Sequence, residues 1–290
     1  MSGRRRAVLI AGPTASGKSA LALERAERDG GIIINADALQ VYDTLRLLTA
    51  RPGPQETTRR PHLLYGTVPP ATRFSTGHWF AAVEGIIKQH SAANLLVFVG
   101  GTGLYFDALL HGLAPVPKVP EAVLAAVEAQ VQQLDAAQRL SLLQQEDPET
   151  AAKLRIADPQ RLMRALAVKR ATGKPLSAFQ AEPQAGLLGE FEIERMVLDP
   201  ERDLLRRRIA RRFETMFDAG AVEEVLALRA QQLDPSLPVM KAIGVREIGE
   251  YLEGRIARDE AVRLATTATH QYAKRQRTWL RNRFADWPRH

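Results

Sequence analysis

The stretch from Val8 to Leu23, VLIAGPTASGKSALAL, constrains the fold more than any other part of the chain. Four apolar residues, Val8 to Ala11, read as a buried strand, and Ser19 to Leu23 begins a helical pattern. Between them Gly12, Gly17, Lys18 and Ser19 fit GxxxxGK[ST]. Glycines let such a loop curl until successive N–H groups point inward at an anion, and the following helix adds the positive end of its dipole. Lys18 can then reach a terminal phosphate and the Ser19 hydroxyl can ligate Mg²⁺. Gly12, Pro13, Thr14, Ala15, Ser16, Gly17, Lys18 and Ser19 are therefore candidate ligands of a diphosphate or nucleotide. The motif alone leaves open whether that group belongs to ATP, GTP or another molecule.

A strand feeding a phosphate loop and a helix calls for further strand–helix units. Apolar runs recur at Ile32 to Ile34 and Leu95 to Val99, each followed by residues able to open a turn or helix. The expected fold is α/β: a P-loop NTPase-like parallel sheet flanked by helices, with ligands at the carboxyl ends of the strands. Three such ends carry polar or glycine-rich stretches, GPTASGKS, NADALQVY and GGTGLYFDAL, and these are expected to converge on one site. The prolines of GLAPVPKVPE, Gly112 to Glu121, mark a boundary. Beyond it the periodicity is helical with Asp-Pro turns, up to the turn-rich AEPQAGLLGE; FEIERMVLD then reads as a strand that rejoins the sheet. The expected organisation is a first core segment over 1–115, an inserted helical domain over 116–190, and core completion with basic terminal helices over 191–290.

At 290 residues with 45% hydrophobic side chains the chain can bury a sizeable core. It has no cysteine, which excludes disulfides, thiolate metal sites and cysteine nucleophiles. Its six histidines include no pair at the i, i+4 spacing of a helical metal site. The apolar run after the basic MSGRRR is too short for a signal core, and no stretch approaches the roughly 18 residues that span a bilayer, so a cytoplasmic location is expected. The formal charge of +7 suits a polyanionic partner. From Ala261 to Ala285 there is no acid, while Lys274, Arg275, Arg277, Arg281 and Arg283 alternate with Tyr272, Trp279 and Phe284. Cations that meet phosphates and rings that stack on bases suit a nucleic-acid face, although a solvated helix with its aromatics in the core reads the same way.

In IINADALQVY the strand ends in Asn35-Ala36-Asp37, which places Asp37 at the carboxyl edge of the sheet. Its carboxylate could accept a proton, reach a metal through water, or cap the next turn. A P-loop kinase commonly ends the corresponding later strand with an Asp for the Mg²⁺ shell; here that strand ends in Gly100-Gly101-Thr102-Gly103. Two glycines and a hydroxyl suit close approach to a second anionic group, with Thr102 also able to cap the next helix.

The segments AGPTASGKSALAL, NADALQVY, FVGGTGLYFDALLHGL, DPQRLMRALAVKRATGKPLS, ERDLLRRRIARRFETM, MKAIGVREI and YAKRQRTWLR stand in the order seen in the tRNA dimethylallyltransferases, and the chain resembles that family from Val8 to about Arg283. The resemblance implies transfer of a dimethylallyl group from its diphosphate to N6 of the adenosine 3′-adjacent to the anticodon, with tRNA and dimethylallyl diphosphate as partners, Mg²⁺ as cofactor, and a monomer. It implies that the phosphate loop holds the diphosphate of the donor, that Asp37 is the general base, and that Thr102 assists the leaving group. Asp37, Ala38, Leu39 and Gln40, together with Thr102, would meet the target adenosine. Gln160, Arg161, Leu162, Met163 and Arg164 in the insert, Lys241 to Arg246, and Lys274, Arg275 and Arg277 on the terminal helix would meet tRNA. From the arginines Arg206 to Arg212 it implies one further diphosphate ligand, taken as Arg208. Ala38 stands where the family usually has Ser, Arg51 where it has Lys, and His62 alone where it has a His pair. Two readings of other classes stand beside this one: a P-loop small-molecule or nucleotide kinase using ATP and Mg²⁺, and an RNA-binding protein without catalysis.

Overall fold

The run Ala7 to Ala11 is apolar at every position because both sides of its strand are covered. Val8 and Ile10 pack with Ala22, Leu23 and Ala26 on one face, while Ala7, Leu9 and Ala11 pack with Trp79, Phe106 and Leu280 on the other. A strand buried on two faces loses the polar alternation of a half-exposed one. The computed structural model of the chain describes residues 4–91, 95–153, 158–182 and 184–290.

In chain order the first elements are β1 (Arg6–Ala11), α1 (Lys18–Asp29), β2 (Ile32–Asn35), the single turn α2 (Pro54–Thr57), β3 (His62–Leu63), α3 (Thr76–Gln89), β4 (Leu95–Gly100) and α4 (Gly103–His111). A helical stretch follows: α5 (Glu121–Gln132), α6 (Ala136–Glu146), α7 (Pro148–Lys153), α8 (Pro159–Thr172) and α9 (Leu176–Ala181). The chain then returns as β5 (Glu192–Val197), α10 (Arg202–Met216), α11 (Val222–Arg229), α12 (Val245–Leu252) and the long α13 (Arg258–Arg283). Among the described residues the strands form one parallel sheet in the order β3-β2-β4-β1-β5. The fold is thus the P-loop NTPase-like parallel α/β class. FEIERMVLD does rejoin the sheet, with Arg6 to Ala11 in register with Glu192 to Val197. Sequence reasoning overlooked β3, whose two residues are too few to show a period.

Two compact units result, 111–185 and 1–110 with 186–290. The smaller is helical around its own core of Val127, Val131, Leu143, Leu162, Leu166 and Phe179. In the larger unit a second core lies under α10 to α13, where Val41, Tyr42 and Leu45 meet Phe213, Phe217, Val225 and Ile248. This core seats the loop after β2 against the C-terminal helices.

Candidate active site

The phosphate loop takes its shape from two residues in the left-handed region, Ala15 at φ 63° and Gly17 at φ 98°. Gly12 is held down by its own N–H, which donates to the Gly100 carbonyl at 3.3 Å. A Cβ at Gly12 would lie 2.8 Å from Ser16 Oγ and 2.9 Å from the Leu198 carbonyl, so the loop folds tightly only around glycine. α1 starts at Lys18. Its first-turn N–H groups, which have no intrahelical acceptor, and its dipole face a cavity of about 460 Å³.

Thr14, Ala15, Gly17, Lys18 and Ser19 line this cavity, with Asp37, Leu39 and Gln40 from the end of β2, Arg212 from α10 and Tyr272 from α13. Gly12, Pro13 and Ser16 are buried behind the loop; the Pro13 carbonyl accepts from Lys18 Nζ at 3.2 Å. Burial pushes the Lys18 ammonium down from 10.5 to about 8; Asp37 pulls it back up and Arg212 adds to the lowering. An anion entering beside it supplies the missing counter-charge.

Asp37 is held by Asn35, a fully buried residue that sequence reasoning missed. Asn35 Oδ1 accepts the Asp37 N–H at 2.8 Å, and its Nδ2 donates to the carbonyls of Asp37 and Leu64, both at 2.9 Å. The side chain of Asp37 accepts from the Leu39 N–H through Oδ1 at 3.1 Å, an Asx turn rather than a helix cap. β2 is not the neighbour of β1, since β4 runs between them. Asp37 reaches the phosphate loop across the end of β4, where the Ala36 carbonyl accepts the Thr102 N–H at 3.2 Å.

The glycines of GGTG are required by protein packing alone. A Cβ at Gly100 would drive into the Ala36 carbonyl, at Gly101 into the Gln276 amide, and at Gly103 into the Trp279 ring. Thr102 stands at the N-terminus of α4, but its Oγ1 accepts the Ala38 N–H at 3.0 Å instead of capping the helix. That bond links the ends of β4 and β2 one residue from Asp37 and leaves the hydroxyl proton to donate.

Of the α10 arginines, Arg208 donates to the Ser16 carbonyl at 3.4 Å, and Arg212 lines the cavity one turn later. Sequence reasoning singled out Arg208; the i, i+4 phase of the buried Leu205, Ile209 and Phe213 was the signal that pairs it with Arg212. Gln40 Nε2 donates to the carbonyls of Thr49 and Ala50, at 2.7 and 3.0 Å, which folds residues 40–50 over the cavity. Glu224 of α11 accepts from the N–H groups of Leu47 and Leu48 and anchors the same loop.

On α8 the residues Gln160, Arg161 and Arg164 are exposed and Met163 is half-buried. Leu162 is 1% exposed in the core of the helical unit, so that residue packs inward, which corrects its place in a contact segment. Lys241 and Arg246 are exposed, Arg246 beside Glu247 at 3.0 Å. Lys274 and Arg275 are exposed on α13. Arg277 instead meets Asp199 at 2.6 Å and is mostly withdrawn from solvent, a second correction to the basic face. Gln276 between them is 6% exposed and points at the phosphate loop. It falls in phase with Ala261, Ala265, Ala273 and Leu280, and a lone amide in that apolar stripe was the signal available.

Residues 40–283 match the sequence profile described as IPPT: IPP transferase. A tRNA dimethylallyltransferase of Methylobacterium nodulans is 51% identical over 97% of this chain and 94% of its own length. One from Chelativorans sp. is 49% identical over 97% of each. Among solved structures, the tRNA isopentenylpyrophosphate transferase of Bacillus halodurans superposes with a TM-score of 0.69 at 29% identity, covering 99% of this chain and 90% of that one. A eukaryotic dimethylallyltransferase acting on tRNA reaches a TM-score of 0.80 at 26% identity, covering 95% and 70%. With the family profile matched over residues 40–283 and relatives about half identical over 97% of the chain, this protein belongs to the IPP transferase family.

Proposed function

We infer that this enzyme transfers a dimethylallyl group from dimethylallyl diphosphate to N6 of the adenosine 3′-adjacent to the anticodon of tRNA. The observation that carries the reading is one cavity walled by Lys18 and the phosphate loop, by Asp37, and by apolar side chains. Leu39, Leu48, Ile209, Phe213, Met216 and Ile243 form that apolar wall, a dry seat for a prenyl chain and one a phosphate-transferring enzyme does not need. The names of the relatives support the same substrates.

The exocyclic amine of adenine is a weak nucleophile, so the barrier falls mainly through stabilising charge on the departing diphosphate. The N6 lone pair attacks C1 of the dimethylallyl group, the C1–O bond breaks, and its electrons leave with diphosphate. Lys18, the loop amides and Arg212 receive that charge, with the Thr102 hydroxyl donating from the β4 end. Asp37 takes the proton that N6 gives up. The residues fit Mg²⁺ in the way a P-loop does: the Ser19 hydroxyl lines the cavity, and among the described residues no cluster of three or more His, Cys, Asp or Glu could replace substrate oxygens as ligands. When bound, the ion would neutralise diphosphate charge beside Ser19.

The exposed Gln160, Arg161 and Arg164 of α8 and the cations of α13 serve as tRNA surfaces, and the target base leaves its loop stack to enter the pocket. Among the described residues no helix is long and apolar enough to cross a membrane; a monomer acting on cytoplasmic tRNA is the accompanying proposal. The test offers the enzyme labelled dimethylallyl diphosphate or labelled ATP, with and without tRNA. Dimethylallyl label in tRNA, and no transfer of the ATP phosphate, is expected; phosphate transfer to a small acceptor would overturn the reading.

A further inference from the structure

α13 approaches the sheet at three points within four residues. Gln276 is buried between the exposed Arg275 and the Asp199-paired Arg277. Its Oε1 accepts the Thr14 N–H of the phosphate loop at 2.9 Å, and its Nε2 donates to the Gly101 carbonyl at 3.0 Å. One turn on, Trp279 fills the space that a side chain at Gly103 would need. The amide accepts at one end and donates at the other; an ionised glutamate lacks the donor and leucine lacks both.

The Thr14 N–H has a consequence for the donor. A phosphate loop usually aims its successive amides at the anion. Here Gln276 takes the Thr14 N–H and the Pro13 carbonyl takes the Ser16 N–H at 3.3 Å, so an incoming diphosphate meets the amides of Ala15, Gly17 and the start of α1, beside Lys18. The same side chain fixes the turn that carries Thr102, whose Oγ1 in turn holds the Ala38 N–H next to Asp37. Leaving-group loop and base are thus tied together through one amide that lines neither end of the cavity.

We infer that Gln276 is a positioning residue for the transfer step: from the helix that carries Lys274 and Arg275, it sets the phosphate loop in register with Thr102 and Asp37 without touching either substrate. The transfer measurements rest on the proposed function; the binding of the loop to an anion does not.

The experiment compares the parent with Gln276→Leu and Gln276→Glu at a temperature where all are folded. Inorganic pyrophosphate affinity, tRNA affinity without donor, and the single-turnover rate of dimethylallyl transfer are measured on each. Gln276→Leu is expected to slow transfer at least tenfold and weaken pyrophosphate at least fivefold, while tRNA affinity stays within twofold. Gln276→Glu keeps the acceptor for Thr14 but sets an oxygen against the Gly101 carbonyl, so its pyrophosphate affinity should recover as the pH is lowered and the new carboxyl regains a proton; Gln276→Leu should show no such recovery. Transfer rate and pyrophosphate affinity within twofold of the parent in Gln276→Leu would overturn the inference, as would a parallel loss of tRNA affinity. Failure of both variants to fold would overturn it too, making Gln276 a determinant of the fold instead of the site. A parent that binds pyrophosphate but transfers no dimethylallyl group refutes the proposed function, and the pyrophosphate comparison still decides the role of Gln276.

Discussion

Asp37→Asn separates proton acceptance from every other task the residue could perform. The backbone of Asp37 is held by Asn35, whose bonds run to the Asp37 N–H and carbonyl and are indifferent to the side chain. The one side-chain bond, from the Leu39 N–H to Oδ1 at 3.1 Å, can be kept by an asparagine Oδ1. Stability should therefore change by no more than about 0.5 kcal/mol, a melting shift of roughly 1–2 °C for a chain of this size. The rate should fall by about 10² to 10⁴, or roughly 3–5 kcal/mol of barrier, because the carboxamide cannot take the amine proton. Removing the Asp37 charge also removes the influence that raises the Lys18 pKa, so Lys18 in the variant loses its proton below about 8. Single-turnover transfer at saturating donor and tRNA should accordingly be read at several pH values down to 6.5, so that loss of the Lys18 charge is separated from loss of the base. A rate within threefold of the parent would refute the general-base role and leave the Asx turn as the function of Asp37. Recovery of tenfold or more at raised Mg²⁺ would assign the carboxylate to metal support instead.

Donor affinity should depend on pH through Lys18, whose lowered pKa of about 8 means that the free enzyme sheds the proton above that value. The diphosphate selects the protonated form, so affinity for dimethylallyl diphosphate should be flat from pH 6.5 to 7.5 and fall about tenfold per unit above 8; Lys18→Arg should abolish that break, and titration calorimetry reads both. Replacing Lys274 and Arg275 together by Ala should reduce the slope of log K for tRNA against log salt by about 1.4 to 1.8. Arg277→Ala should leave that slope unchanged and instead lower stability by roughly 1–3 kcal/mol, because among the described residues Asp199 then keeps only Arg289 as an ion-pair partner, at 3.6 Å. Gly103→Ala should push against the Trp279 ring and destabilise the protein by about 1–3 kcal/mol, read as a lowered melting temperature; a neutral result would refute the packing account of the GGTG glycines.

The strands and the phosphate loop were legible because their signals are local. Val8 to Ala11 is a buried strand by composition alone, and the spacing of Gly17, Lys18 and Ser19 states its own chemistry. What sequence reasoning missed shows itself through distant partners: Asn35, which holds Asp37 two residues on, is itself fixed by the Leu64 carbonyl, Glu224 anchors Leu47 and Leu48 from α11, and Gln276 arrives at Thr14 from 262 residues away. A polar residue at the end of an apolar run, or in phase with an apolar stripe, is the trace such contacts leave. Arg277 shows the converse error, since a cation in a basic run looks free until the fold brings Asp199 to it.

The end of β4 is where this chain departs from a phosphate-transferring relative of the same loop. In a P-loop kinase that strand commonly ends in a carboxylate for the metal. Here Gly100, Gly101 and Gly103 let the Ala36 carbonyl, the Gln276 amide and the Trp279 ring into the space such a side chain would fill. The carboxylate that acts on the Lys18 ammonium stands instead at Asp37, one strand further along the sheet. There it stands beside the apolar wall of Leu39, Leu48 and Ile243, where an acceptor nitrogen and a prenyl carbon can meet away from water. A base has to stand where the acceptor loses its proton, whereas a metal ligand has to stand where the leaving group departs. In the proposed reaction, the same glycines that admit α13 to the sheet leave the phosphate loop to serve departure and the β2 end to serve attack.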